Sequence, residues 1–241
     1  MNSLPARAYG MICRPRATFA AIIACPERSR GAAPAWAPIL IATTLVTFVC
    51  SAGFLRTGVG QQALVDQWER TALAFGQSVD DAQYARIEDM SAAGGLVYAA
   101  VVALSGGPVL AVALAAMLFL VLNRTTGHRA SYVQVLAVVC HAGVILALRQ
   151  LIATPLDYVR ESLASPTTLV QFFTMLDEAS PVARFLGVID FLVVWWIVVL
   201  AVGMSVLYHR SARGLTLVFT GAYVALALLA AIAMAVSGGT A

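Results

Sequence analysis

Lysine is absent from this 241-residue sequence; all 15 basic residues are arginine. Charge of either sign is scarce as well. Asp, Glu, Lys and Arg together make up 11% of the chain, whereas an ordinary soluble domain carries roughly a quarter. That scarcity excludes a soluble globule, because a chain this short and 61% apolar would have to bury nearly all of itself. Catalytic signatures are missing too. There is no phosphate-binding glycine loop, no HExxH, no CxxC and no GxSxG. No catalytic residue, cofactor site or metal site is therefore expected, and the chain reads as non-enzymatic. Cysteine is sparse: Cys13, Cys25, Cys50 and Cys140 have no metal-ligand spacing and are expected to be free thiols.

What the chain has instead is long apolar runs. About 20 apolar residues cross the hydrocarbon of a bilayer. Five runs reach that length, at about 36–55, 96–122, 132–152, 185–208 and 215–236. The fold class that follows is all-α, a polytopic integral membrane protein with five transmembrane helices. The second run contains Ser105-Gly106-Gly107-Pro108. Proline lacks a backbone donor and clashes with the preceding turn, so a kink is expected at Gly106, Gly107 and Pro108. It serves either as a packing kink or as a hinge.

Arginine sets the orientation. Arg7, Arg14, Arg16, Arg28, Arg30, Arg124, Arg129, Arg210 and Arg213 fall on one side, with Glu27 as the single acid. The opposite side holds five arginines and ten acids. By the positive-inside rule the N-terminus is cytoplasmic and, after five spans, the C-terminus is external. The basic rim suits anionic lipid and does not argue for nucleic acid. The external carboxylates Asp66, Glu69, Asp80, Asp81, Glu88 and Asp89 match no calcium loop and read as a solvated face.

Residues 1–35 form a cytoplasmic segment ahead of the membrane domain, 36–241. Two short pieces broken at Pro15 are expected there. The stripe Phe19, Ile22 and Ile23 lies either in the membrane interface or against the bundle. In the first external loop, Ser78 is expected to cap a helix, with an acid three residues on. In the second, Leu169, Phe172, Phe173 and Leu176 recur at helical spacing.

Polar residues within the spans are the candidate sites. Ser131, Gln134, His141 and Arg149 fall within roughly 80° of one another on the third span. Asp190, Ala201, Ser205 and Tyr208 share a face of the fourth. These faces form either a polar pathway or hydrogen-bonded contacts between helices. Arg149 and Asp190 sit near the same external surface on consecutive spans and are expected to pair. On the fifth span, Gly221 and Ala225 offer a small-residue face for close packing within the bundle.

Three stretches carry a family resemblance. Asp190-Phe191-Leu192-Val193-Val194-Trp195, then Leu200-Ala201-Val202-Gly203, resembles the D-x-F-x-x-W and L-A-x-G pattern of Yip-domain (Ypt-interacting protein) membrane proteins. Here Phe191 follows Asp190 directly, one residue early. Pro15-Arg16-Ala17-Thr18-Phe19 with Pro26 resembles that family's leading segment, and Gly127-His128-Arg129-Ala130-Ser131-Tyr132 the stretch before its third span. The resemblance implies a five-span scaffold; eukaryotic members associate with prenylated Rab-type GTPases. It transfers no catalytic residue. It implies an accessory subunit that organises other membrane proteins or lipid; the alternative is a small transporter or channel component, including a subunit of an ABC-type exporter. The lack of lysine and abundance of alanine suggest high-GC coding, hence a bacterial inner membrane.

The orientation is testable. In a cysteine-free background, Asp80→Cys should react with an impermeant thiol reagent in intact cells, and Ser211→Cys should not. Labelling of position 211 alone would reverse the topology.

Overall fold

The computed structural model describes residues 3–24, 36–74, 77, 80–173 and 180–238. Among these residues the secondary structure is helical, with no strand and one isolated β-bridge, Thr168 to Asp190. The helices are α1 (Leu4–Cys13), α2 (Pro15–Ala24), α3 (Ala37–Leu55), α4 (Gly58–Ala74), α5 (Asp81–Leu104), α6 (Leu110–Thr125), α7 (Tyr132–Ala142), α8 (Val144–Arg160), α9 (Pro181–Val188), α10 (Phe191–Tyr208) and α11 (Ala212–Gly238). Five stretches are long and apolar enough to cross a membrane: Ala37–Leu55, Gly94–Thr125, Tyr132–Arg160, Phe191–Tyr208 and Ala212–Ala233. The five-span fold class read from composition is the fold of the molecule.

The spans differ from the sequence reading in instructive places. Ser105–Val109, between α5 and α6, is a π-helical turn. Pro108 has no N–H to give the ladder, and the Leu110 N–H reaches back to the Ser105 carbonyl. The third span breaks at Gly143 and then runs through Pro155 to Arg160, eight residues past the expected end. Side chains reinforce it just before the proline. Gln150 Nε2 donates to Thr154 Oγ1 (3.1 Å) and Ser51 Oγ (3.3 Å), and Thr154 Oγ1 donates to the Gln150 carbonyl (2.8 Å). The fourth span starts at Phe191 rather than near Phe185, because Ile189 is extended and separates α9 from α10.

The two longer connections between spans are more helical than expected. Residues 58–74 form α4. Helix α5 is capped by Asp80, whose Oδ1 accepts from the Gln83 N–H at 2.7 Å, as an acidic N-cap residue does. The expected cap, Ser78, lies outside the described residues, as do Cys25, Pro26 and Leu176. Instead of an amphipathic helix, Leu169–Phe172 makes a single 3-10 turn. Its Leu169 N–H is drawn off to the Ile189 carbonyl (2.8 Å).

The chain divides into two compact units. The first comprises residues 1–47, 103–149 and 192–221. Its core includes Met11, Phe19, Ile39, Leu118, Val135, Val138, Ile145, Met204 and Tyr208. Of the two placements open to the leading segment, this is the packed one: Met11 and Phe19 are fully buried. The reason is visible at Gly203 of α10. A Cβ there would stand 2.5 Å from Val138 Cγ1 and 2.8 Å from Phe19 Cζ. The two side chains fill the space that glycine leaves by having no Cβ. The second unit comprises residues 48–102, 150–191 and 222–241. Its apolar core is smaller, centred on Ala52, Phe54, Leu55, Ala63 and Ala99.

Candidate functional site

Three polar arrangements are built on these elements. The first is a knot in the second unit around Asp190, the residue immediately before α10. Its Oδ2 accepts from the Thr167 hydroxyl at 2.6 Å and the Ser165 hydroxyl at 2.9 Å. Asp190 and Thr167 are both buried. The backbone joins in: the Phe191 N–H donates to the Thr167 carbonyl (3.1 Å). Tyr223 completes it. Its hydroxyl donates to the Val188 carbonyl (2.8 Å) and accepts from the Asp190 N–H (3.1 Å). A carboxylate at a helix N-terminus is favoured by capping and by the helix dipole. Asp190 is thus a junction residue, placed where the chain stops being extended and enters the membrane helix. Ser165, Thr167 and Tyr223 escaped sequence reasoning, since nothing local marks residues 23 to 33 positions apart as partners.

The second arrangement closes the connection between α6 and α7. Asn123 bonds Ala130 in both directions (3.1 Å each), and Tyr208 Oη donates to Asn123 Oδ1 (2.9 Å). Ser131 and Gln134 form a capping box at the start of α7. Gln134 is exposed and engaged in that cap. His141 is fully buried, with Nδ1 2.7 Å from the Ala137 carbonyl. The expected polar face of the third span therefore contains a cap at one end, a buried histidine in the middle and half-buried Arg149 beyond.

The third is a small cavity in the first unit, about 50 Å³ in volume. It is lined by Thr43, Gly106, Gly107, Cys140, Gly143 and Trp196 among others. Both helix irregularities, the π-helical turn and the Gly143 break, open onto it. Trp196 Nε1 and Thr44 Oγ1 are buried without a hydrogen-bond partner among the described residues. Thr44 Oγ1 lies 2.6 Å from where a Cβ on Gly107 would stand, so that position accepts glycine alone without rearrangement. No group of three or more metal-ligating side chains occurs among the described residues.

Five spans long and apolar enough to cross a membrane define a polytopic helical membrane protein. The chain belongs to the Yip1 domain family, whose pattern matches residues 9–234. No curated protein and no solved structure matches it.

The family-like residues hold distinct places: Asp190 and Phe191 in the knot, Trp195 packed against the first unit's core, and Gly203 beneath Phe19. Arg149 falls in the first unit and Asp190 in the second. Their pairing is a prediction. Asp190→Leu should lower stability by on the order of 3 kcal/mol, because buried hydroxyl donors lose their carboxylate. In a double-mutant cycle with Arg149→Met, read as thermal stability in one detergent, a double loss smaller than the sum supports the pair. Strict additivity refutes it.

Proposed function

We propose that the protein is a scaffold or accessory subunit that organises other membrane proteins or lipid. Membership of the Yip1 domain family supports a membrane-associated, non-enzymatic role. The observation that carries the reading is the fifth span. Only 11% of its apolar window is buried, against 56% for the third and fourth. Leu217, Val218, Leu226 and Leu229 are exposed along it. Gly221 and Ala225 are exposed too, and nothing lies within 4 Å of a Cβ built on Gly221. The small-residue face expected to pack inside the bundle is therefore open. Small residues let a second membrane helix approach closely, where packing and not the hydrophobic effect drives association. The proposed setting is a bacterial inner membrane, with the N-terminus and the arginine-rich connections in the cytoplasm.

A second reading is a small transporter or channel component, including a subunit of an ABC-type exporter. The cavity beside the π-helical turn favours it, since interrupted membrane helices commonly line binding sites.

Co-purification from native membranes in a mild detergent separates the two. On the scaffold reading a stoichiometric membrane partner accompanies the protein. Gly221→Leu then releases that partner while leaving the melting temperature of the isolated chain unchanged or higher, because open space receives the side chain and leucine favours helix. Absence of a partner, with substrate-dependent flux by the isolated protein in liposomes, supports the second reading and overturns the first.

A further inference from the structure

The described residues of the first unit carry eight arginines and no Asp or Glu. Four of them, Arg124, Arg129, Arg210 and Arg213, are exposed at two short connections, 123–131 and 208–214. The connections are joined to each other. Arg210 Nη2 donates to the Thr126 carbonyl at 2.6 Å, and Tyr208 donates to Asn123. Where they meet, the rings of His128 and His209 stand with centroids 5.1 Å apart and planes at 83°. Both are exposed.

The backbone at this junction is unusual. His209 has φ of 53°, and Gly127, next to His128, has φ of 71°. A residue with a Cβ occupies the left-handed region at some cost, which surrounding contacts must hold in place. One ring is thus carried by a left-handed residue, and the other follows one.

Two exposed imidazoles this close can share one ligand, either a transition metal or an anion. Charge decides between them. A dication would meet four guanidinium groups and no carboxylate on these connections, whereas an anion would meet only positive charge and N–H donors.

We propose that the His128–His209 pair, with the arginines around it, is a binding site for a phosphate-bearing anion. Imidazole ring N–H and guanidinium N–H groups are both donors to phosphate oxygens. The other titratable and charged groups on the two connections are Arg124, Arg129, Tyr208, Arg210 and Arg213. None is an acid, so no internal counter-ion competes with a bound anion. The phosphate comes from one of two sources: the headgroup of an anionic lipid in the adjoining leaflet, or a soluble phosphate compound.

The test uses the purified full-length chain in non-ionic detergent, with phosphatidylglycerol, phosphatidylcholine and inorganic phosphate as probes. The phosphodiester of phosphatidylglycerol carries one negative charge, whereas phosphatidylcholine is net neutral. Native mass spectrometry should find at least about threefold more phosphatidylglycerol than phosphatidylcholine bound to the parent. The double variant His128→Gln, His209→Asn should bind about threefold less phosphatidylglycerol than the parent. Asparagine tolerates the left-handed backbone, so its melting temperature should match the parent. Displacement of the lipid by millimolar inorganic phosphate assigns the site to soluble phosphate; retention assigns it to the headgroup. Equal phosphatidylglycerol binding by parent and variant overturns the proposal. So does zinc binding that the variant abolishes with no phosphate binding in the parent.

Discussion

The contact on which the first unit depends is the close approach at Gly203. Three elements meet there: Phe19 from α2, Val138 from α7 and the bare backbone of α10. Phe19 and Val138 are fully buried. Close-packed interiors do not absorb an extra methyl without shifting side chains or backbone, at a cost of about 1–3 kcal/mol. This contact also explains why two separate stretches of the family-like sequence belong together. The leading segment supplies the ring and the fourth span supplies the missing side chain. The first unit thereby has two further helices, α1 and α2, as part of its core rather than as a loosely held tail.

A second constraint governs the spans themselves. Hydrocarbon offers a peptide group no hydrogen-bond partner, so a membrane helix is interrupted only where protein or a lined cavity satisfies the freed groups. The interruptions here follow that rule in different ways. At Ser105–Val109 the ladder shifts register around Pro108. Before Pro155, Gln150, Thr154 and Ser51 bond one another and the helix backbone. At Ile189 the chain leaves α9 extended, and it is bonded by the segment 167–169 and by Tyr223 of α11 before α10 begins. Charge is distributed with equal consistency. The carboxylates of the described chain lie in the second unit and most arginines in the first. The first unit's positive field therefore has no internal balance.

Much of this is legible in the sequence because hydropathy and charge are local and additive. Run length places all five spans. Irregularity is legible where it has a local cause: Pro108 has no N–H wherever it sits. Tertiary partners are not legible. Asp190 reads as a charge embedded in a helix, because the apolar run continues upstream to Phe185. Its place as a junction is fixed by Ser165 and Thr167, which nothing in the run announces. Gln134 reads as a polar residue at depth, whereas its capping box with Ser131 accounts for it. Gly221 fits a packing motif, yet the bundle leaves it open, since a small-residue pattern does not say which helix will use it. The helix α4 escapes notice because its apolar residues, among them Val59, Ala63, Val65 and Trp68, are interleaved with polar ones and form no long apolar run.

The central claim is that α1 and α2 are held in the core by the Phe19–Gly203 contact. Hydrogen–deuterium exchange of the protein in lipid nanodiscs, comparing the parent with Gly203→Val, measures it directly. The account predicts slow exchange across α1 and α2 in the parent. In the variant it predicts selective loss of that protection, with the amides of α11 unchanged. Fast exchange of α1 and α2 in the parent, or undiminished protection in Gly203→Val, would contradict it.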